Sequence, residues 1–275
     1  MTFVELCAGT AALSLRLHGG RYARPPVSRM GAKTGYARAI LQVMGLAAGD
    51  GADRYLWCEP DPGCCLMLET YRDHRLALAA ADIIRSWSDE EPRTLWERLR
   101  AEGPVQEGVT AREAARWMHL AQQAFRQGDV SSGYRDDMAM YLRGKRDHPG
   151  APSSEVVKRC KSLPTLPATI HPDARKTAPL RSSAVVYIDP PYQNTTGYGH
   201  GLTRAEVMAL AMKWSDAGAD VYISEAEPID LPGWYHVDIT HCRQGQKRTF
   251  SKQQAEWLTC SKEPAWLPPQ QGALF

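Results

Sequence analysis

Short apolar, β-branched runs alternating with helical spacings set out an α/β chain. Met1 to Cys7 reads as a strand and Ala11 to Leu17 as the apolar start of a helix, with Ala8-Gly9-Thr10 turning tightly between them. Arg54 to Cys58 reads as a second strand that stops at Glu59. Asp61-Pro-Gly then opens a helix through Leu66 and Leu68 to Tyr71. Leu76 to Ala81 reads as a third strand ending at Asp82, and Val185 to Ile188 as a buried fourth. Asp220 to Glu225 is a fifth, and 234–240 with 255–260 form a closing antiparallel pair. From Ser86 to about Arg181 the strand signals stop. Trp87 to Leu99 and Thr110 to Gln127 have helical apolar spacing there, with a capping-box pattern at Thr110 and Glu113. Thr203 and Glu206 repeat that pattern before a helix through Trp214.

Chemistry concentrates where the fourth strand ends. Val185-Val-Tyr-Ile188 runs straight into Asp189-Pro190-Pro191-Tyr192. Prolines cannot donate to a sheet ladder, so the strand stops there. The carboxylate and the ring are held at the carboxyl end of a strand, where open α/β sheets bind ligands. The glycine turn after the first strand forms a nucleotide-binding βα unit, in which backbone N–H groups face a ligand and small residues permit close approach. An acid ending the second strand suits ribose hydroxyls, and Glu59 fits better than Asp61 because it ends the apolar run. The gap from Gly9 to Glu59 far exceeds the usual spacing of about 20 residues, which an inserted segment from about residue 20 to 50 explains. That segment carries Arg29-Met-Gly31-Ala-Lys33 before a helical pattern. Glycine and lysine at a helix start suit a carboxylate or phosphate; a solvated loop lysine leaves the same signature.

Asp189-Pro-Pro-Tyr192 resembles motif IV of the amino-group DNA methyltransferases, and the longer Asp189-Pro-Pro-Tyr192-x-x-Thr195-x-x-Tyr198 resembles their Dam-type N6-adenine branch. Phe3-Val-Glu5-Leu-Cys-Ala-Gly9-Thr-Ala11 is similar to that family's motif I, with Ala11 in place of the last glycine. Gly31-Ala-Lys33 is similar to its motif X, here following motif I instead of preceding it. The resemblance implies a Rossmann-like, seven-stranded, mostly parallel methyltransferase sheet with a helical target-recognition insertion. Residues 1–85 and 182–262 would form the S-adenosylmethionine-binding catalytic domain, 86–181 the DNA target-recognition insertion, and 263–275 a Pro-rich tail. The resemblance assigns Phe3, Glu5, Ala8, Gly9, Thr10, Lys33, Glu59, Asp82 and Asp189 to the cofactor, S-adenosylmethionine. Asp189 and the Pro190 carbonyl would accept hydrogen bonds from the target amine while Tyr192 stacks on a flipped-out adenine. Such acceptors help because the lone pair of an exocyclic amine is delocalised into the ring. Flipping costs a few kcal/mol, partly offset by the stacking.

The expected partner is double-stranded DNA. Net charge is only +2, so affinity must come from local patches. Within the insertion these are Arg126, Ser131, Ser132, Tyr134 and Arg135, then the basic Arg143, Lys145, Arg146, Lys158 and Arg159. Thr195 and Tyr198 follow the catalytic motif, and Lys247 and Arg248 lie in a basic loop near the C-terminus. Basic side chains hold phosphates, and polar ones reach base edges. Seven cysteines with no CxxC pair read as reduced thiols of a cytosolic protein, with no zinc or other metal site. No signal peptide or long apolar run appears, so the expected location is the cytoplasm, in a bacterial nucleoid or a phage-infected cell, with no membrane partner. A symmetric recognition site would suit a homodimer. N4-cytosine methylation is the alternative within the class, although that branch more often carries Ser at the position of Asp189. A Rossmann-type NAD enzyme would want a full GxGxxG, which Gly9-Thr-Ala-Ala lacks. A non-catalytic DNA-binding regulator on the same fold is the remaining alternative.

Overall fold

A computed structural model describes residues 1–27, 31–104, 108–124, 151–180, 183–192, 201–244 and 255–269. Seven strands form one sheet: β1 Thr2–Leu6, β2 Arg54–Cys58, β3 Ala168–His171, β4 Ala184–Ile188, β5 Asp220–Glu225, β6 Tyr235–Asp238 and β7 Trp257–Cys260. Their spatial order is 3-2-1-4-5-7-6. The first five are mutually parallel, and β7 runs antiparallel to both β5 and β6. The architecture is therefore α/β with a mostly parallel mixed sheet, consistent with a Rossmann-like fold. The described residues contain eight α-helices: α1 Ala12–Gly19, α2 Ala37–Val43, α3 Pro62–Arg72, α4 His74–Ser86, α5 Pro92–Ala101, α6 Ala111–Gln123, α7 Ala151–Lys161 and α8 Arg204–Asp216.

The period-two side-chain alternation of the strands sorts the sequence into two layers. Phe3, Tyr55, Trp57, Tyr187 and Tyr222 point into one core, which α1 to α4, α6 and α7 cover. Val4, Leu6, Val186, Ile188, Val221 and Ile223 point into the other, which α8 closes with Val207, Leu210 and Trp214. The bulky aromatic face thus meets the thicker helical layer and the slim aliphatic face meets a single helix. Glu5 and Asp189 fall on the aromatic side by the same alternation, one residue beyond Val4 and one beyond Ile188.

The helix starts follow their capping residues. Asp61 accepts from the backbone N–H groups of Gly63 and Cys64 at the head of α3, and Thr110 accepts from Glu113 N at the head of α6. A complete capping box of Thr203 and Glu206 opens α8.

One element departs from expectation. The run Leu76–Ala81 belongs to helix α4, not to a third strand. Asp73 caps it, and Ala77, Ala80, Ala81 and Ile84 bury one stripe at helical spacing. Alanine is the best helix former, and a short continuous apolar run carries no periodicity to oppose it. The third strand is Ala168–His171, a four-residue edge between Pro167 and Pro172 with no buried position. Such a strand is too short and too exposed to declare itself by pattern. Helices α5 to α7 consequently join α3 and α4 in the connection from β2 to β3, instead of lying between the third and fourth strands. There α4 packs against α6 and α7, and α3 against α6.

Candidate functional site

The strand order reverses between β1 and β4: the chain leaves β1 toward β2 on one side and β4 toward β5 on the other. The crevice outside the carboxyl ends of two such strands is where open α/β sheets take ligands. The glycine turn after β1 and Asp189 after β4 flank this crevice, and Asp189 N bonds to Leu6 O across it at 3.2 Å.

The turn is held in a costly conformation. Gly9 has φ +52°, and two non-glycine residues, Cys7 (φ 65°) and Ala11 (φ 44°), are also left-handed. Each costs about 1–2 kcal/mol, so the surroundings must fix them. Ala8 N bonds to Cys58 O (2.9 Å), Ala11 N to Ala8 O (2.7 Å), and Gly9 N to the Glu59 carboxylate (2.7 Å). Glu59 is buried at the end of β2 and accepts a second backbone bond from Asp61 N (2.9 Å). Asp61 instead caps α3. A Cβ added at Gly9 would meet nothing within 4 Å, so the turn presents an open face. Thr10 and Ala8 are buried beneath it.

Four carboxylates gather at this crest. Glu5 is 3% exposed, and its Oε1 accepts from Ser14 N at 2.8 Å. The Ser14 hydroxyl accepts from Trp57 Nε1 (2.9 Å), which anchors the arrangement to β2. Burial, partly offset by the bonds from Ser14 and reinforced by Asp189, pushes Glu5 up to about 7. Burial likewise raises Asp189 to about 6, with Lys33 pulling it down and Glu256 pushing it up. Glu225, at the end of β5, is pushed up to about 7, again chiefly by burial. The fourth is Glu256, 3% exposed at the head of β7, whose backbone N–H bonds to Thr240 Oγ1 at 2.9 Å.

Lys33 sits among these acids. Its Nζ lies 2.8 Å from Asp189 Oδ1 and 3.5 Å from Glu256 Oε1, and 4.4 Å from the centroid of the Tyr192 ring. The Tyr192 hydroxyl donates to Glu256 Oε1 as well. Burial works against the Lys33 ammonium, but Asp189 and Glu256 outweigh it and hold the group above the ordinary lysine value. Burial and the nearby Asp189 and Glu256 charges raise the Tyr192 phenol, which stays protonated as a donor. Lys33 reaches the crest although it follows the glycine turn in sequence. A short 3-10 turn over Lys33–Gly35 carries it, and Gln244 N→Gly35 O (2.8 Å) and Tyr36 Oη→Thr240 O (3.4 Å) tie that turn to the chain after β6.

Glu5, Ala8, Gly9, Thr10, Lys33, Glu59, Asp189, Pro190 and Tyr192 thus lie at or beside one crevice. Phe3 does not: it is sealed in the core against Tyr55, ring centroids 6.3 Å apart. Asp82 does not either. It is an exposed residue of α4 paired with Arg85 (3.1 Å), so the expected acid at the end of a third strand has to be sought elsewhere. The acid that follows the actual β3 is Asp173, which caps the next 3-10 turn and pairs with Arg175. Lys158 is exposed on α7, whereas Arg159 bonds to Glu155 (2.9 Å) and to Pro25 O (3.2 Å) and so fastens α7 to the loop after α1. Arg126, Ser131, Ser132, Tyr134, Arg135, Arg143, Lys145, Arg146, Thr195, Tyr198, Lys247 and Arg248 lie outside the described residues. Glu256 was not among the residues expected from sequence; its signal was a carboxylate at the head of the short strand run Trp257–Cys260.

No protein-family model matches the chain, and no curated protein sequence matches it. Among the described residues no group of His, Cys, Asp or Glu is arranged to hold a metal ion, and no helix is long and apolar enough to cross a membrane.

Proposed function

We propose that the protein transfers a methyl group from S-adenosylmethionine to N6 of a flipped-out adenine in double-stranded DNA. The observation that carries this reading is the placement of Asp189. The Asp-Pro-Pro-Tyr carboxylate ends β4 at the strand-order reversal, across from an open glycine turn, with Tyr192 beside it. The residues present suit the cofactor. An open left-handed turn with Glu59 fixed behind it fits a nucleoside, and the surplus of carboxylates over the Lys33 ammonium fits a cationic sulfonium with an ammonium group. When bound, the cofactor would supply an electrophilic methyl group.

The chain's own residues would do the rest. Asp189 accepts a hydrogen bond from the target amine and draws its lone pair toward the methyl group. Its pKa of about 6 leaves it ionised at neutral pH yet basic enough to take the proton that the methylated nitrogen must lose. Tyr192 offers its ring to the base while Glu256 fixes its hydroxyl. Lys33 occupies the acceptor on Asp189 in the free protein. A cofactor carboxylate would give that ammonium another partner and release Asp189 for the amine.

Incubation with tritiated S-adenosylmethionine and unmodified bacterial DNA, followed by digestion to nucleosides, tests the reading. Label on N6-methyladenine with the native protein, lost in Asp189→Ala, is the expected result. Label on N4-methylcytosine would overturn the choice of base, and no label on any nucleoside would overturn the function.

A further inference from the structure

Lys33 stands where the target amine has to go. An amine accepted by Asp189 while its base stacks on Tyr192 needs its nitrogen within about 2.6–3.2 Å of the carboxylate, over the face of the ring. Lys33 Nζ meets both demands: it lies 2.8 Å from Asp189 Oδ1 and 4.4 Å from the centroid of the Tyr192 ring. The ammonium and a stacked base cannot share that space. The ammonium is also fully committed. It carries three donors and no acceptor, and Asp189 Oδ1, Glu256 Oε1 at 3.5 Å and Gly31 O at 3.4 Å surround it. Lys33 is buried, whereas Asp189 keeps 20% of its side chain exposed.

The fold holds the lysine in this place. Gln244 N bonds to Gly35 O at 2.8 Å, and an added Cβ at Gly35 would stand 3.0 Å from Arg243 Cγ and 3.1 Å from Gln244 O. Thr240 joins the two sides of the pocket: its carbonyl accepts from the Tyr36 hydroxyl and its own hydroxyl oxygen accepts from Glu256 N. The turn that carries Lys33 and the strand end that carries Glu256 are therefore one unit. Withdrawing one partner from a buried ion pair is strongly unfavourable, because it leaves a charge without compensation. Lys33 can leave Asp189 only if another anion receives it. A sugar hydroxyl or a nucleobase brings no such charge, and a carboxylate does.

We propose that Lys33 is an autoinhibitory gate: its ammonium holds the place of the target amine between Asp189 and Tyr192, and a ligand that brings a carboxylate to the crevice draws it away and admits the base. This regulation rests on the methyl-transfer reading of the crevice and goes beyond it by fixing an order, cofactor before target base. Duplex DNA can dock on a closed chain; what the gate withholds is the flip. A ligand shifts such an equilibrium only by its differential affinity for the two states. A nucleoside without the amino-acid end therefore binds without opening the gate, and the demethylated cofactor, which keeps its carboxylate, opens it.

The test follows 2-aminopurine fluorescence, which rises when the base leaves the stack, in a duplex carrying that analogue at the adenine the native chain methylates. The native chain is measured alone, with saturating S-adenosylhomocysteine, and with saturating 5′-methylthioadenosine, a nucleoside thioether without the amino-acid end. S-adenosylhomocysteine should raise the flipped population about tenfold, an ordinary coupling between two sites, and 5′-methylthioadenosine should leave it unchanged. Lys33→Met, its folding verified by thermal melt, should flip the base equally with and without either ligand; the native arms decide the matter if that variant does not fold. Equal flipping by the native chain with and without S-adenosylhomocysteine, or an equal effect of the two ligands, would overturn the gate and leave the methyl-transfer reading standing. So would a folded Lys33→Met chain that still needs S-adenosylhomocysteine. A native chain that methylates no DNA would overturn both.

Discussion

Glu5→Gln should make the free protein more stable and a worse cofactor binder, and the size of the first effect can be worked from the structure. Glu5 is buried, and its pKa rises from 4.5 to about 7. At about 1.36 kcal/mol per pKa unit, ionising it in the folded state costs about 3 kcal/mol. The sign follows from linkage. The unfolded chain ionises near 4.5 and the folded chain near 7, so the folded state binds more protons between those values and loses stability as pH rises through them. Below pH 4.5 both forms are neutral and the glutamine should be silent. Above pH 7 it should add about 3 kcal/mol, or about 6 °C in melting temperature for a chain of this size. Glutamine keeps an Oε1 to accept from Ser14 N, so the substitution removes charge with little change of shape. The assay is thermal and urea unfolding of both proteins at pH 4.5, 6 and 8, alongside calorimetric titration with S-adenosylmethionine at pH 8. A stability difference that does not grow with pH would refute the assignment of Glu5 as a buried, destabilising carboxylate. Tighter cofactor binding by the variant would refute the idea that its charge is kept for a cationic ligand.

Glu256→Gln should slow methyl transfer about 100-fold through loss of the Tyr192 and Lys33 anchor. Because Glu256 raises Asp189, the acid limb of the pH–rate profile near 6 should also move to lower pH; an unmoved limb would place Glu256 outside the network. Gly9→Ala should cost about 1 kcal/mol of stability from its left-handed φ. It should also weaken cofactor binding by more than that, since the new methyl stands on the open face of the turn; equal affinities in equilibrium dialysis would remove the turn from the site. Gly63→Ala should destabilise by about 3 kcal/mol or more, because its Cβ would stand 1.8 Å from Trp117 Nε1 where α3 meets α6. A urea midpoint close to the native one would refute the close packing of Gly63 against Trp117.

The parts of the fold legible from sequence were those with a strong local signature. β1, β2, β4 and β5 announced themselves as short runs of apolar, aromatic and β-branched residues ending in a glycine turn or an acid, and Asp61, Thr110 and Thr203 announced the starts of α3, α6 and α8. What failed was a decision that no local pattern settles. Leu76–Ala81 is apolar at nearly every position, and its helical character came from the Asp73 cap and from burial against α6 and α7. β3 has no fully buried position to mark it and is defined by pairing with β2, a contact more than a hundred residues away in sequence. The site divides in the same way. Asp189, Glu59 and Gly9 stand at strand ends, where pattern points to function. Lys33 and Glu256 reach the crevice through tertiary connections, from a 3-10 turn and from the last hairpin, and their partnership with Asp189 and Tyr192 has no sequence spacing to reveal it.

The charges of the crevice make better sense as provision for a ligand than as support for the fold. A buried ion pair is weak evidence of stabilisation, because desolvation consumes most of its Coulomb energy. Here the pairing is incomplete even so: with Lys33 at 2.8 Å, Asp189 still sits at about 6, and Glu5 and Glu225 still sit at about 7. A chain selected for stability alone would gain by replacing Glu5 with an amide. The same crest keeps two non-glycine residues in left-handed geometry around the turn that faces it. Strain and unneutralised carboxylate are thus concentrated where the strand order reverses, while the two cores on either side of the sheet are conventionally packed. On the proposed reading the electrostatic cost is recovered when a cation enters. The carboxylates then ionise fully, protons are released, and cofactor affinity should climb steadily from pH 5 to pH 8.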